Sequence, residues 1–250
     1  KYEIKNGAAW ITLDRPENRN ALSAVLVAEL YEHLVASNEN PEVRCIIITG
    51  TDPAFCAGAD LKSPPGSTID GGKRSVPYPE VLSAIINSDK PVIAAVDGIA
   101  TAAGCQLVAS CDLAYASKKA MFATPGVNIG LFCSTPMVAL SRNVNKKSAM
   151  EMLLTGDLID ANKAVEIGLI NEVYAADELM NKVFAMADKI SSKSMNTIKI
   201  GKKAFYKQKE MSLEDAYSYT AQVMSENMLE NDSKEGITAF LEKRKPNWNC

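Results

Sequence analysis

The stretch "DGIATAAGCQLVASCD", Asp97–Asp112, decides how this chain is read. It follows "KPVIAAV" (90–96), a continuously apolar run of the kind a strand shows when it is covered on both faces. Within it, "ATAAGCQL" (100–107) leads from that strand into a helical pattern through small residues. Amides at such a helix start point along its axis and carry its partial positive charge, so they are suited to hold an anionic oxygen. Gln106 places a neutral amide one turn into the same helix.

Working outward, the strand–helix alternation recurs. "AAWITL" (8–13), "RCIIITG" (44–50), "KPVIAAVDG" (90–98), "DLAYAS" (112–117) and "INEVY" (170–174) read as strands. Helical patterns fall near 22–37, 78–88, 105–111, 134–142, 146–154 and 160–167. This is an α/β order. Residues 62–79, "KSPPGSTIDGGKRSVPYP", are rich in Pro, Gly and Ser without an apolar period. They read as a long loop, placed after "AGADLK" as a lid over a site. From about Asp177 the strand signal ends and helical patterns continue to the C-terminus. The expected division is a core over 1–194 and a helical region over 195–250.

Composition narrows the function classes. The chain has 250 residues, 47% hydrophobic and 23% charged, with a formal net charge of −3. It is long enough to bury a substantial core. The charge balance shows no nucleic-acid footprint, and no apolar run reaches the roughly 18 residues of a membrane span. The six cysteines (45, 56, 105, 111, 133 and 250) lack paired spacing and read as free thiols of a reducing, intracellular compartment. The sequence starts at a lysine, so its start carries no information on targeting. The one histidine, His33, lies in a helix whose Leu22, Leu26, Leu30 and Leu34 share a face and which Ser23 is placed to cap. It reads as a helix-packing residue. No GxSxG elbow and no metal-ligand cluster accompany it, so the metal expectation is none.

A second small-residue loop, "FCAGADL" (55–61), also follows a strand. Two such loops presenting amides to one oxygen make an oxyanion hole. In this order they resemble the crotonase (enoyl-CoA hydratase/isomerase) superfamily, and most of all its enoyl-CoA hydratase domain-containing branch. The resemblance runs nearly the whole chain: "ITLDRPENRNALS" (11–23), "CIIITGTDPAFCAGADLK" (45–62), "KPVIAAVDGIATAAGCQLVASCDLAYAS" (90–117), "ATPGVNIGL" (123–131) and "GITAFLEKRKPNW" (236–248).

The resemblance implies a crotonase/ClpP-like spiral of ββα units with a helical C-terminal trimerisation region. It implies a trimer or dimer of trimers, and a coenzyme A thioester as substrate or ligand with no prosthetic group. Carried over by position, Ala57 and Ala103 supply the oxyanion amides. Asp60, Leu61 and Lys62 lie beside the CoA, Phe240 and Lys243 reach the CoA of a neighbouring subunit, and Asp112 is a buried structural aspartate. The implied setting is fatty-acyl metabolism in a bacterial cytoplasm or a mitochondrial matrix.

Reactions at the α or β carbon of an acyl-CoA pass through an enolate. Two amides aimed at its oxygen each stabilise that charge by roughly 3–4 kcal/mol. The family's hydratases also carry two glutamates, and the matching positions here are Gln106 and Gly126. General acid–base groups contribute roughly 10²–10⁴ each, so losing two removes about 10⁴–10⁸ of rate. Asn128 and the run "FCSTP" (132–136) occupy the loop where related isomerases place an alternative acid, a position that reads Cys133-Ser134 here, and Cys105 and Cys133 are candidate nucleophiles without a signal for a lowered pKa. Two readings stand: an enzyme with a different acid–base set, or a non-catalytic acyl-CoA-binding protein. A third is a structural oligomer with an empty site. Refitting glutamates at 106 and 126 is expected to gain hydration if the surrounding pocket is intact.

Overall fold

The computed structural model describes residues 1–62 and 76–248. Most of the expected lid, residues 63–75, lies outside the described residues. The chain opens with β1 (Tyr2–Lys5), β2 (Ala8–Leu13) and α1 (Ala24–Glu39). Ser23 caps α1 by accepting from the Leu26 amide, 3.3 Å. The face with Leu26, Leu30 and Leu34 is buried, as its spacing predicts.

Three strand–strand–helix units follow. They are β3 (Cys45–Gly50), β4 (Ala54–Cys56) and α2 (Tyr78–Asn87), then β5 (Val92–Val96), β6 (Ile99–Thr101) and α3 (Ala103–Ser110), then β7 (Leu113–Ser117), β8 (Met121–Ala123) and α4 (Pro136–Asn143). After them come α5 (Lys146–Thr155), β9 (Ile159–Asp160), α6 (Ala161–Glu166), β10 (Glu172–Tyr174) and α7 (Ala176–Ser191). The long strand of each unit joins a sheet ordered β1-β2-β3-β5-β7-β10, and the short strand joins a second sheet ordered β4-β6-β8-β9. Repeating this step winds the chain into a spiral. β5 is buried along its whole length between parallel neighbours β3 and β7.

The helical tail is α8 (Met195–Gln208), α9 (Leu213–Leu229) and α10 (Asn231–Leu241). Asp112 fastens it to the core: one carboxylate oxygen takes the Val92 amide at 2.7 Å and Lys202 Nζ at 2.6 Å, and the other takes the Tyr206 hydroxyl at 2.9 Å. Lys202 also donates to the carbonyls of Ile85 and Lys90, so a nearly buried ammonium is fully satisfied. Outside this anchor, α9 and α10 leave Leu213, Tyr217, Met224, Leu229, Phe240 and Leu241 exposed. His33 stacks on Tyr2 with ring centroids 4.6 Å apart, the packing role its helical setting predicts.

Candidate active site

The two small-residue loops meet. A Cβ added to Gly58, whose φ is +99°, would lie 2.9 Å from the Thr101 carbonyl and 3.5 Å from the Ala103 nitrogen. A Cβ on Gly104 would overlap the Cys56 carbonyl at 2.2 Å, so α3 packs its first turn directly against β4. Thr101 Oγ1 ties the loops together by donating to the Ala57 carbonyl, 3.0 Å.

The backbone pairing decides which amides are available. The Ala57 N–H donates to the Arg19 carbonyl at 3.0 Å. This corrects the sequence expectation, because a donor already satisfied within the protein is not open to a ligand oxygen. Next to it, Leu22 N donates to the Gly58 carbonyl at 2.8 Å and Asp60 N donates to the Leu22 carbonyl at 3.1 Å, which forms a one-residue parallel bridge at Ala59. Extended backbone alternates its hydrogen-bonding direction. The Ala59 N–H therefore points away from Leu22, and it has no partner among the described residues. Ala103 begins α3, and its N–H also has no partner among the described residues.

The conformational demand of the second loop falls one residue earlier than its sequence suggests. Ala102 sits at φ 50° and ψ −115°, a region that favours glycine, whereas Ala103 is the first helical residue. Strain of this kind costs about 1–3 kcal/mol and persists only where the surroundings enforce it. Here the Ala102 N–H is held by the Ala123 carbonyl at 2.9 Å, and its own carbonyl receives the Gln106 amide at 2.9 Å. Buried Tyr78 donates its hydroxyl to the Ala103 carbonyl at 2.7 Å. Burial pushes that phenol well above its usual range and keeps it a neutral donor.

Gln106 is 4% exposed. Its Nε2 donates to the Thr135 carbonyl at 2.8 Å, and its Oε1 is buried without a partner. The bond to Thr135 fixes the amide's orientation, so the group presents an acceptor. An unsatisfied buried acceptor is costly, about 1–3 kcal/mol, unless a water or ligand donor fills it.

At Gly126 the room for a side chain is gone. A Cβ there would lie 2.3 Å from the Leu131 carbonyl oxygen and 2.9 Å from Cys133 Sγ. The Gly126 carbonyl also receives the Leu131 amide at 2.9 Å, closing the loop on itself. The condition on refitting the two glutamates, an intact surrounding pocket, is not met at this position: a carboxylate at 126 requires residues 131–133 to move. Asn128 is exposed, with Nδ2 3.0 Å from where Gly156 would carry a Cβ. Ser134 is exposed with its hydroxyl on the Phe132 carbonyl at 3.4 Å. No hydrogen bond joins either to Gln106 among the described residues. Cys105 is buried, and burial pushes its thiol up to about 12, which removes it as a nucleophile. Cys133 is buried beside Gly126.

The remaining positions divide between brace and rim. Asp60 Oδ2 is 3.1 Å from Arg15 Nη1, and its Oδ1 accepts the Lys62 amide at 3.0 Å. Leu61, Lys62, Phe240 and Lys243 are exposed. The sequence reading missed Arg15 and Arg19, which hold the first loop, and Asn20, which braces Arg15 and the entry to β4. Asn20 is fully buried at φ 57°; it accepts the Arg15 amide at 2.8 Å and donates to the carbonyls of Thr51, 2.8 Å, and Ala54, 2.6 Å. The signal was present in "RPENRNALS", where Asn tolerates a positive φ better than most residues. Among the described residues no group of three or more His, Cys, Asp or Glu is placed to hold a metal, and no helix is long and apolar enough to cross a membrane.

Comparisons with known proteins agree with this architecture. Residues 3–250 match the family model described as Enoyl-CoA hydratase/isomerase. Human mitochondrial enoyl-CoA hydratase domain-containing protein 3 is 45% identical over 249 residues, covering 98% of this chain and 81% of that protein. Its zebrafish counterpart is 43% identical over 249 residues, covering 99% and 86%. A crystal structure of enoyl-CoA hydratase from Mycobacterium smegmatis superposes with a TM-score of 0.91 at 42% identity, covering 100% of this chain and 98% of that one. The crystal structure of human enoyl-CoA hydratase domain-containing protein 3 gives 0.89 at 44% identity, covering 99% of each. With its ββα spiral, its helical tail and this full-length similarity, the chain belongs to the enoyl-CoA hydratase/isomerase family and has the crotonase fold.

Proposed function

We propose that this protein binds an acyl-CoA thioester with the carbonyl oxygen between the Ala59 and Ala103 N–H groups, and polarises it without a carboxylate acid–base pair. The observation that carries the reading is the pair of amides, without a partner among the described residues, on two loops in contact at Gly58. Each amide lowers the energy of an enolate oxygen by roughly 3–4 kcal/mol, and backbone donors need no protonation state to do so. Gln106 Oε1 accepts from a water or from a hydroxyl on the ligand. It holds that donor near the thioester without serving as a base.

CoA lies along Leu61 and Lys62 at the rim, with Asp60 bracing that loop through Arg15. Phe240 and Lys243 of a neighbouring subunit complete the CoA contact. Residues 195–250 form the trimerisation region of a trimer or dimer of trimers, and the exposed apolar side chains of α9 and α10 support this. The setting is fatty-acyl metabolism in a mitochondrial matrix, as the relatives' names support, or in a bacterial cytoplasm.

A second reading, a non-catalytic acyl-CoA-binding protein, is favoured by the closed loop at Gly126, which leaves no place for the second acid. Both readings require the oxyanion amides. The variant Ala103→Pro removes one of them at the first helical position; because Ala102 before it stands at φ 50° and ψ −115°, outside the extended region that a residue before proline favours, the fold of the variant is checked alongside its binding. Titration calorimetry with butyryl-CoA and with free CoA is expected to show that the variant loses the affinity gained from the acyl group, while its binding of free CoA and its circular dichroism are unchanged. Equal acyl-CoA binding by a folded variant contradicts the proposal.

A further inference from the structure

α2 and α3 belong to consecutive strand–strand–helix units, and one side chain ties their first turns together. Tyr78 is the first residue of α2, and its hydroxyl donates at 2.7 Å to the carbonyl of Ala103, the first residue of α3. The ring is buried in the same core cluster as Val81, Leu82 and Ile85 of its own helix. Core packing alone favours phenylalanine here, because a buried hydroxyl loses its hydration and is costly without a partner. The Ala103 carbonyl does not require this donor. Inside α3 it accepts the amide four residues on, that of Leu107. The phenol is therefore a second donor on a carbonyl that the helix already satisfies.

The residue next to this bond is the strained one. Ala102 stands at φ 50° and ψ −115°, and its ψ orients the peptide plane that carries the Ala103 N–H. Relaxing the strain swings that N–H, so the conformation persists only where both sides are held. On the strand side, the Ala123 carbonyl holds the Ala102 N–H at 2.9 Å. On the helix side, the Ala102 carbonyl accepts the Gln106 amide, so the Ala103 N–H turns as one body with the first turn of α3. Tyr78 fixes that turn against α2. Among the described residues no other side chain hydrogen-bonds to the backbone of residues 102–105.

We infer that Tyr78 is a positioning residue for the oxyanion site: its hydroxyl keeps the first turn of α3 in the orientation that aims the Ala103 N–H at the thioester oxygen. The inference rests on the thioester being seated at Ala59 and Ala103. The effect passes through the Ala103 backbone rather than through contact with the ligand. A hydrogen bond of this kind shifts an equilibrium by about three- to tenfold.

The test compares the wild type with Tyr78→Phe and with Leu82→Ala, a control that loosens α2 without removing the bond to Ala103. Calorimetry measures butyryl-CoA and free CoA. Infrared difference spectra follow the thioester carbonyl stretch of bound butyryl-CoA, isotope-labelled at that carbon, which hydrogen bonds at the oxygen lower. Tyr78→Phe is expected to bind free CoA as the wild type does, to bind butyryl-CoA about three- to tenfold more weakly, and to lose part of the stretch shift. Leu82→Ala is expected to lose stability and keep the shift. Unchanged butyryl-CoA affinity and stretch in Tyr78→Phe, equal weakening of both ligands, or an equal stretch change in Leu82→Ala overturns the inference and leaves acyl-CoA binding standing. If Tyr78→Phe does not fold, a ring-fluorinated tyrosine at 78, a stronger donor of nearly the same size, is expected to lower the stretch further, and an unmoved stretch overturns the inference. A wild type that binds no thioester, or binds it with an unshifted carbonyl, overturns the proposed seat as well.

Discussion

The loop after β4 and the loop after β8 both face α3, and they are built in opposite ways. The first is over-determined: Arg15, Arg19, Leu22 and Thr101 bind it directly, Asn20 braces Arg15 and the entry to β4, and that network leaves the Ala59 amide open among the described residues. The second closes on itself: the Leu131 amide binds the Gly126 carbonyl, and the Leu131 carbonyl fills the space a side chain at 126 needs. Electrostatic stabilisation by backbone depends on geometry and is retained where the geometry is braced. Proton transfer depends on particular side chains and is absent where those side chains are absent. On the proposed function, binding and acid–base chemistry are carried by separate segments, and the first is the one that this chain keeps.

The largest break in the comparison is expected from Asn20→Ala. It removes four hydrogen bonds, leaves the half-buried Thr51 and buried Ala54 carbonyls short of a donor, and puts alanine at a positive φ. A loss of about 3–4 kcal/mol is expected by chemical denaturation, together with weakened acyl-CoA binding. If stability falls while affinity is unchanged, the brace does not position the amide.

Gln106→Glu follows in size. A carboxylate at this place meets the Thr135 carbonyl instead of donating to it, and burial raises its pKa above the usual value near 4.3. The unfolded chain ionises at lower pH than the folded one, so the variant keeps its relative stability below about pH 4 and loses it as pH rises through the raised folded pKa. The cost at pH 8 relative to wild type is expected to be about 2 kcal/mol. A penalty that does not vary with pH contradicts the donor assignment at Thr135.

Gly126→Ala tests the closed loop directly. The overlap with the Leu131 carbonyl is expected to cost about 1–3 kcal/mol. A neutral outcome shows that the loop yields to a side chain at 126 and contradicts the closed loop. The smallest effect has the opposite sign. Ala102→Gly relieves the strained φ of 50° and is expected to add about 1 kcal/mol, raising Tm by about 2–4 °C.

What the sequence made legible follows from length and burial. β2, β3 and β5 carry five or six consecutive apolar or alternating residues and stand out. β4, β6, β8 and β9 hold two or three residues each, too few for any period to appear. β1, "YEIK", is an exposed edge whose charges hide it. At the site, small residues announced both loops, and the family resemblance singled out Gln106 and Gly126 as positions where glutamates were expected. The choice between Ala57 and Ala59 depends on which amide Arg19 and Leu22 engage, a long-range pairing that local composition does not encode. The blocked space at Gly126 is likewise set by where residues 131–133 fold back.

The central claim is a thioester site that binds and polarises without hydrating. The direct measurement gives the protein crotonyl-CoA, follows loss of the enoyl absorbance, and measures binding of the same ligand by calorimetry. The predicted result is saturable binding with hydration slower by about 10⁴ or more than in a relative carrying both glutamates. Rapid hydration, or no binding at all, contradicts it.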